Sequence, residues 1–191
     1  KLYRRLAKTR SLTAMDFVRM GIAHRKSGQY YAALGCYRRA RELGLPEDAG
    51  FYSCLANIHR DLGNIELAYE CSTRAIAIST ARDENILVNH SVILRELKKF
   101  DEAFQILDQL VKDNPDKPGY RWERAFIEQY IRRDQNSWLS FESRFEAGKI
   151  PRHPIQEIAI RWQGEDLAGK KIYLRREQGF GDTLLMTRFL P

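Results

Sequence analysis

Apolar residues recur over the first 148 positions at the spacing of amphipathic helices, and the breaks between the helical stretches repeat as well. Each of three breaks is a polar chain reversal, followed by an apolar residue and, three residues later, by an alanine. The alanines are Ala33, Ala68 and Ala103, and each lies 35 residues from the next. This regularity predicts stacked helix pairs with a period of about 34 residues.

The residues around the breaks suit closely packed helix pairs. A small side chain such as that of Ala33 lets two helices approach each other. Gly28 and Gly63 stand where a helix ends and the chain must reverse. Pro46 and Pro115 fall between pairs, where proline ends one helix without breaking another. Each of these repeated positions is therefore expected to belong to the core of the stack.

The repeated positions follow one order along the units. In the first repeat it is Phe17, Met20-Gly21, His24, Ala33, Tyr37 and Ala40. This order resembles that of the tetratricopeptide repeat (TPR) family, whose pattern is an aromatic residue, Leu-Gly, Tyr, Ala, a second aromatic residue, Ala and Pro. The resemblance implies an all-α fold, a right-handed solenoid of helix-turn-helix pairs. It also implies that the first helix of each pair lines a concave groove that holds a protein or peptide.

The pattern divides the repeat domain, residues 1–148, into successive units. These are a partial unit at 1–13, units at about 14–47, 49–82 and 84–117, and a degenerate unit at 118–148. In the degenerate unit Arg124-Ala125 takes the Leu-Gly place, and Ser137 and Arg144 replace the two alanines. Because the chain begins without Met inside an amphipathic stretch, we expect a piece of a longer protein.

The resemblance places six candidate partner-binding residues on the groove. They are Arg25, Asn57, Arg60, Val88, Val92 and Arg95. The three arginines are 35 residues apart and would form a ladder along the groove. Arginine matches carboxylates well, so one hypothesis is an acidic or C-terminal-carboxylate peptide. The alternative is that each arginine pairs with an acidic residue of a neighbouring repeat.

The chain changes character after residue 148. Two prolines in Ile150-Pro151-Arg152-His153-Pro154 predict a linker at 149–161. Beyond it, a short C-terminal α/β segment is predicted, with a strand over Lys171–Arg175, a glycine-rich loop and the start of a helix. Gly179, Gly181, Asp182 and Thr183 form the loop, whose amides could hold an anion. Asp182 could equally be a plain helix N-cap.

Residues 162–191 resemble a bacterial family in which TPR repeats precede a glycosyltransferase-like domain. The matching residues run from Trp162 through Gly164, Leu167 and Gly169-Lys170 to Gln178–Thr183 and Arg188–Pro191. The domain in that family has two Rossmann halves (GT-B) and is related to heptosyltransferases. The resemblance implies that 162–191 begins an incomplete Rossmann-like domain, with Asp182 as a general base in a longer parent that uses a nucleotide-sugar. No cofactor is expected in the residues present.

Composition narrows the function classes further. The net charge of +7 favours acidic partners, but basic residues are scattered among 25 acidic ones, so nucleic acid is not the expected ligand. No apolar run is long enough to span a membrane. Cys36, Cys54 and Cys71 lack metal-ligand spacing and predict free thiols in the cytoplasm, with no metal site. Self-association through exposed solenoid ends is a further expectation.

The sequence therefore leaves two functions open. The first is a protein-interaction scaffold that holds an acidic partner segment. The second is the N-terminal part of a glycosyltransferase whose repeats position an acceptor or partner. Whether the chain belongs to an enzyme is left undecided, because the repeats carry no catalytic constellation.

Overall fold

The computed structural model describes residues 11–148, 162 and 164–173, and in these residues it has nine helices and no strand. The helices are α1 (Ala14–Lys26), α2 (Tyr30–Glu42), α3 (Ala49–Asp61), α4 (Ile65–Ile78), α5 (Glu84–Glu96), α6 (Phe100–Asp113), α7 (Pro118–Ile131), α8 (Gln135–Phe141) and α9 (Ser143–Glu146). Contacts are densest within the pairs α1–α2 and α3–α4, and α6 contacts α5 and α7 equally. The prediction of an all-α repeat architecture is confirmed for these residues.

Polar N-caps fix where the first helix begins in the first three pairs. Thr13 and Asp16 form a reciprocal capping box at α1, in which each side chain accepts from the other's backbone N–H. Asp48 caps α3 by accepting from the N–H of Phe51 at 2.8 Å, and Asp83 caps α5 in the same manner. The connections between pairs therefore carry the start signals of the helices.

One left-handed residue ends the first helix of each of the four successive pairs α1–α2 to α7–α8. Gly28 and Gly63 have φ values of 73° and 80°, as their glycine predicts. The equivalent places in the third and fourth pairs hold Lys98 (φ 61°) and Arg133 (φ 52°). Each of these four positions lies 35 residues from the next. The turn geometry is therefore kept even where the residue is not glycine.

The alanines that define the repeat lie in the core. Ala33, Ala68 and Ala103 are each 0% exposed, and such small side chains permit helices to pack closely. Gly21 has the same function in α1, because a Cβ there would lie 2.7 Å from the Tyr37 ring. Close approach of the two helices therefore depends on small side chains, as the sequence pattern predicts.

The degenerate fourth unit also forms a helix pair. Ser137, which replaces the alanine, is completely buried and donates a hydrogen bond to the carbonyl of Asp134 at 2.7 Å. Arg144, in the second alanine place, is buried against the Phe141 and Phe145 rings and pairs with Glu142 at 2.6 Å. Polar side chains with hydrogen-bond or ion-pair partners thus take the place of the two alanines.

The chain divides into two compact units, Lys1–Pro151 and Arg152–Pro191. In the second unit Gly164 is a bend, and Ala168 and Gly169 form a turn. Gly164 and Gly169 have positive φ, and Trp162 donates its indole N–H to the carbonyl of Glu165 at 2.7 Å. Residues 171–173, the described part of the predicted strand, belong to no strand. The described second unit does not support the predicted C-terminal α/β segment.

Candidate functional site

The first helices of three pairs lie side by side and form an open groove. Helix α5 contacts both α3 and α7, and the groove between them encloses about 530 Å³. Its lining residues come from these three helices, and they are Arg60, Asp61, Val88, Asn89, Val92, Arg95, Glu96, Trp122, Glu123 and Phe126. The groove lies on the first helices of the pairs, where the resemblance to TPR repeats places a partner-binding groove.

The floor of the groove is apolar. Val88 and Val92 of α5 are half-buried and lie one helical turn apart. Trp122 and Phe126 of α7 pack edge to face, with ring centroids 4.4 Å apart. Because this apolar floor is partly exposed to solvent, it can bury an apolar side chain of a ligand.

Four of the six predicted binding residues line this groove. Arg60, Val88, Val92 and Arg95 are among its lining residues. Arg25 does not line it but reaches it indirectly, because its guanidinium binds Asp61, a lining residue. Asn57 of α3 does not line it either, because this residue is buried in the stack of helices.

The arginine ladder is paired with acidic residues. Nε of Arg25 lies 2.6 Å from Oδ2 of Asp61 in the next repeat, and Nη2 of Arg60 lies 3.1 Å from Oδ1 of the same carboxylate. Nη1 of Arg95 lies 3.9 Å from Oε2 of Glu123, again in the next repeat. Arg25 and Arg95 thus each face a carboxylate of the next repeat, as in the alternative, whereas Arg60 pairs within its own repeat.

The sequence prediction missed Trp122 and Phe126. Both lie 34 residues after groove positions that were predicted, Val88 and Val92 respectively. The same step from Ser91 leads to Ala125, and both of those residues are completely buried. Extending the repeat register into the degenerate unit would therefore have identified both aromatic residues.

A second polar cluster lies between repeats, away from the groove. Lys117 and the Tyr120 hydroxyl, which donates at 2.6 Å, both bind the carboxylate of Glu84. These two hydrogen bonds, chiefly that from Lys117, lower the pKa of Glu84 to about 2. The cluster ties α5 to the start of α7 and therefore has a structural function.

Two of the three cysteines lie in environments that disfavour reaction. Cys36, Cys54 and Cys71 are free thiols, as predicted. Burial raises the pKa of the Cys36 and Cys71 thiols, which disfavours the reactive thiolate. Among the described residues there is also no group of His, Cys, Asp or Glu side chains that could hold a metal ion.

The predicted C-terminal ligand loop falls on residues 178–183. Gly179, Gly181, Asp182 and Thr183 lie outside the described residues.

None of the helices that the structure describes is long and apolar enough to cross a membrane.

No protein-family model matches the chain. Among curated proteins, Protein FlbA of Caulobacter vibrioides is 34% identical over 71 residues. That match spans 37% of this chain and 12% of FlbA. The chain therefore corresponds to a small part of this relative's length.

Known structures share the fold. YrrB, described as a TPR protein with an unusual peptide-binding site, matches with a TM-score of 0.56 and 15% identity over 71% of this chain and 69% of its own. Pseudomonas aeruginosa PilF matches at 0.61 and 21% identity over 72% and 62% of the two chains. A tetratricopeptide repeat protein of Parabacteroides merdae matches at 0.56 and 18% identity over 71% and 54%. The fold is therefore that of TPR proteins, as the sequence pattern predicts.

Proposed function

We propose that this chain is a protein-interaction scaffold that holds an extended segment of a partner protein in the groove of α3, α5 and α7. One observation supports this most strongly. The groove has a partly exposed apolar floor, Val88, Val92 and Phe126, within a rim of charged side chains. This combination suits a peptide that is anchored by an apolar residue. The peptide-binding site named for YrrB gives the proposal a precedent on the same fold.

The size of the groove sets the length of the bound segment. Neighbouring helices pack with their axes about 8–10 Å apart, so a path from α3 to α7 covers roughly 20 Å. An extended chain advances about 3.3–3.6 Å per residue, and about six residues therefore span the groove. Short linear segments are the ligand class that fits these dimensions.

Selection from a phage-displayed library of random dodecapeptides tests the proposal. Enriched peptides should bind the chain about three- to tenfold more weakly after Val92→Ala, since the variant removes apolar area from the groove floor. Val111→Ala is the matched control, because Val111 lies on α6 and is not among the lining residues. The proposal fails if no enriched peptide distinguishes the two variants, or if only Val111→Ala weakens binding.

An acidic partner is a finer proposal and requires an exchange of ion pairs. A peptide carboxylate that binds Arg25 or Arg60 must compete with Asp61, which both arginines already contact. Asp61→Asn removes that competitor and should strengthen the binding of a glutamate-rich peptide. Weaker or unchanged binding by this variant would argue that the two arginines do not receive the ligand.

The glycosyltransferase alternative rests on the sequence from Trp162 to Pro191. In that proposal Asp182 is the general base of a longer parent protein, and Gly179, Gly181 and Thr183 complete the ligand loop. The coding sequence downstream of Pro191 tests it directly. Further βα units and a second nucleotide-binding half would support the alternative, and a stop codon after a few residues would remove it.

A further inference from the structure

The charge in the groove changes sign from one side to the other. On the α3 side Asp61 accepts from two guanidinium groups, Arg25 at 2.6 Å and Arg60 at 3.1 Å. One carboxylate cannot neutralise two arginines, so this side keeps an excess of positive charge. The attraction of a second carboxylate to this side follows from the unbalanced charge.

The α5–α7 side has the opposite balance. Arg95 lies over the Phe126 ring, with its guanidinium carbon 5.1 Å from the ring centroid. Glu123 approaches it only to 3.9 Å, which is longer than a hydrogen bond. Glu96 lines the same groove, is exposed, and forms no ion pair with any residue that the structure describes. One arginine therefore accompanies two carboxylates, and a negative excess results.

We infer that the groove selects a bipolar segment, with acidic residues at the α3 side, where Arg25 of α1 meets Asp61, basic residues over α5 and α7, and an apolar residue between them. This inference rests on the proposed function and adds the chemistry and placement of the ligand. An acidic segment alone would be attracted at one side and repelled at the other. A segment with separated charges gains at both sides, while its apolar residue reaches the floor of the groove.

Two synthetic peptides of one composition test the inference. In the first, an apolar centre of leucine and valine has two glutamates at one end and two lysines at the other. In the second, each end carries one glutamate and one lysine. Both peptides have blocked termini, so only the order of the charges differs. Fluorescence anisotropy should show that the first peptide binds about fivefold more tightly at low ionic strength. The preference should shrink in high salt, which screens exposed charges.

Substitutions in the protein locate the preference. Combining Glu96→Gln with Glu123→Gln removes the negative excess and should bring the affinities of the two peptides to within about twofold. Glu66→Gln is the control for loss of a carboxylate, because Glu66 is exposed on α4 and does not line the groove. It should leave the fivefold preference unchanged. A preference that persists in the double variant contradicts the assignment.

A nitroxide on the peptide distinguishes the two ends. Placed at the acidic end, it should broaden amide signals at the ends of α1 and α3, and placed at the basic end it should broaden those of α7. Equal affinity of the two peptides, or the reverse placement, overturns the inference. If both peptides bind equally and Val92→Ala weakens both, peptide binding stands and only the bipolar selection fails. If no peptide, whether synthetic or phage-selected, binds more weakly to Val92→Ala, both proposals fail.

Discussion

Nε of Arg25 lies 2.6 Å from Oδ2 of Asp61, so a charged hydrogen bond ties the end of α1 to the end of α3. The Arg25 and Asp61 side chains are 32% and 18% exposed. Because the contact crosses from one helix pair to the next, it stabilises the stacking that shapes the groove. A solenoid whose repeats contact only their neighbours depends on such interfaces.

Loss of the Asp61 carboxylate should therefore reduce stability. Asp61→Asn is expected to lower the free energy of unfolding by about 1–2 kcal/mol, since a partly buried charged hydrogen bond is removed. Asp113→Asn is the matched control. Asp113 also ends a helix and lies 2.6 Å from an arginine, Arg82, but these side chains are 39% and 52% exposed. Its loss should cost under about 0.5 kcal/mol. Equal shifts of the two urea midpoints would contradict this account.

Lys98 offers a stabilising substitution. It adopts φ 61° at a turn where the first two repeats have glycine, and its side chain is exposed. Lys98→Gly should therefore raise the free energy of unfolding by about 0.5–1 kcal/mol, because a left-handed conformation costs a residue with a Cβ. Gly63→Ala, at φ 80°, should have the opposite effect of about 1 kcal/mol. Urea denaturation of both variants measures this, and a destabilised Lys98→Gly would contradict it.

A buried histidine predicts sensitivity to acid. Nδ1 of His90 lies 2.8 Å from the Ser72 hydroxyl, which itself donates to the carbonyl of Tyr69 at 3.0 Å. The Ser72 oxygen therefore accepts from Nδ1–H of His90, and Nε2 is left to take up a proton. Burial lowers the pKa of His90, because the charged imidazolium is poorly solvated between α4 and α5.

The sign of the pH dependence follows from that shift. Above a pH of about 6.5 the histidine is neutral in both the folded and the unfolded chain, and stability is at its full value. Below it the unfolded chain binds the proton first, so stability falls as the pH drops towards the lower pKa of the folded state. In the protein without substitutions, the urea midpoint should decrease as the pH is lowered from about 7 to 5. His90→Asn, which keeps a donor for Ser72, should weaken this decrease.

A matched histidine serves as control. His24→Asn is the control for loss of an imidazole outside the buried core, and His90→Asn should weaken the decrease more than it does. Some dependence will remain in His90→Asn, since burial also lowers the pKa of His59. An unchanged slope in His90→Asn would contradict the assignment to His90.

Much of the repeat could be predicted from the sequence because small residues and turn signals carry it. Ala33, Ala68 and Ala103 mark the places where helices touch, and close packing permits little else there. The turn at Arg133 could not be predicted from residue type, since the geometry of the stack imposes a conformation that arginine does not favour. Local preference thus suffices for the core positions but not for every turn.

The candidate site was predictable only in part. The resemblance to TPR repeats placed Arg60 and Arg95 on the groove, and both line it, because the repeat register determines which face a helical residue occupies. Their pairing depends on side-chain reach across repeats, as for Arg95 and Glu123, and the spacing does not determine this. Asn57 shows the same limit. Its register suggests the groove, yet packing within the stack buries it.

The central claim is that a partner segment lies on the first helices, and the valines test it directly. The chain has four valines, at positions 18, 88, 92 and 111. Val88 and Val92 line the groove, whereas Val111 lies on α6 and does not. In a sample labelled only at valine methyl groups, addition of a phage-selected peptide should shift the signals of Val88 and Val92 and leave that of Val111 in place. A shift of Val111 with no change at Val88 and Val92 would contradict the account.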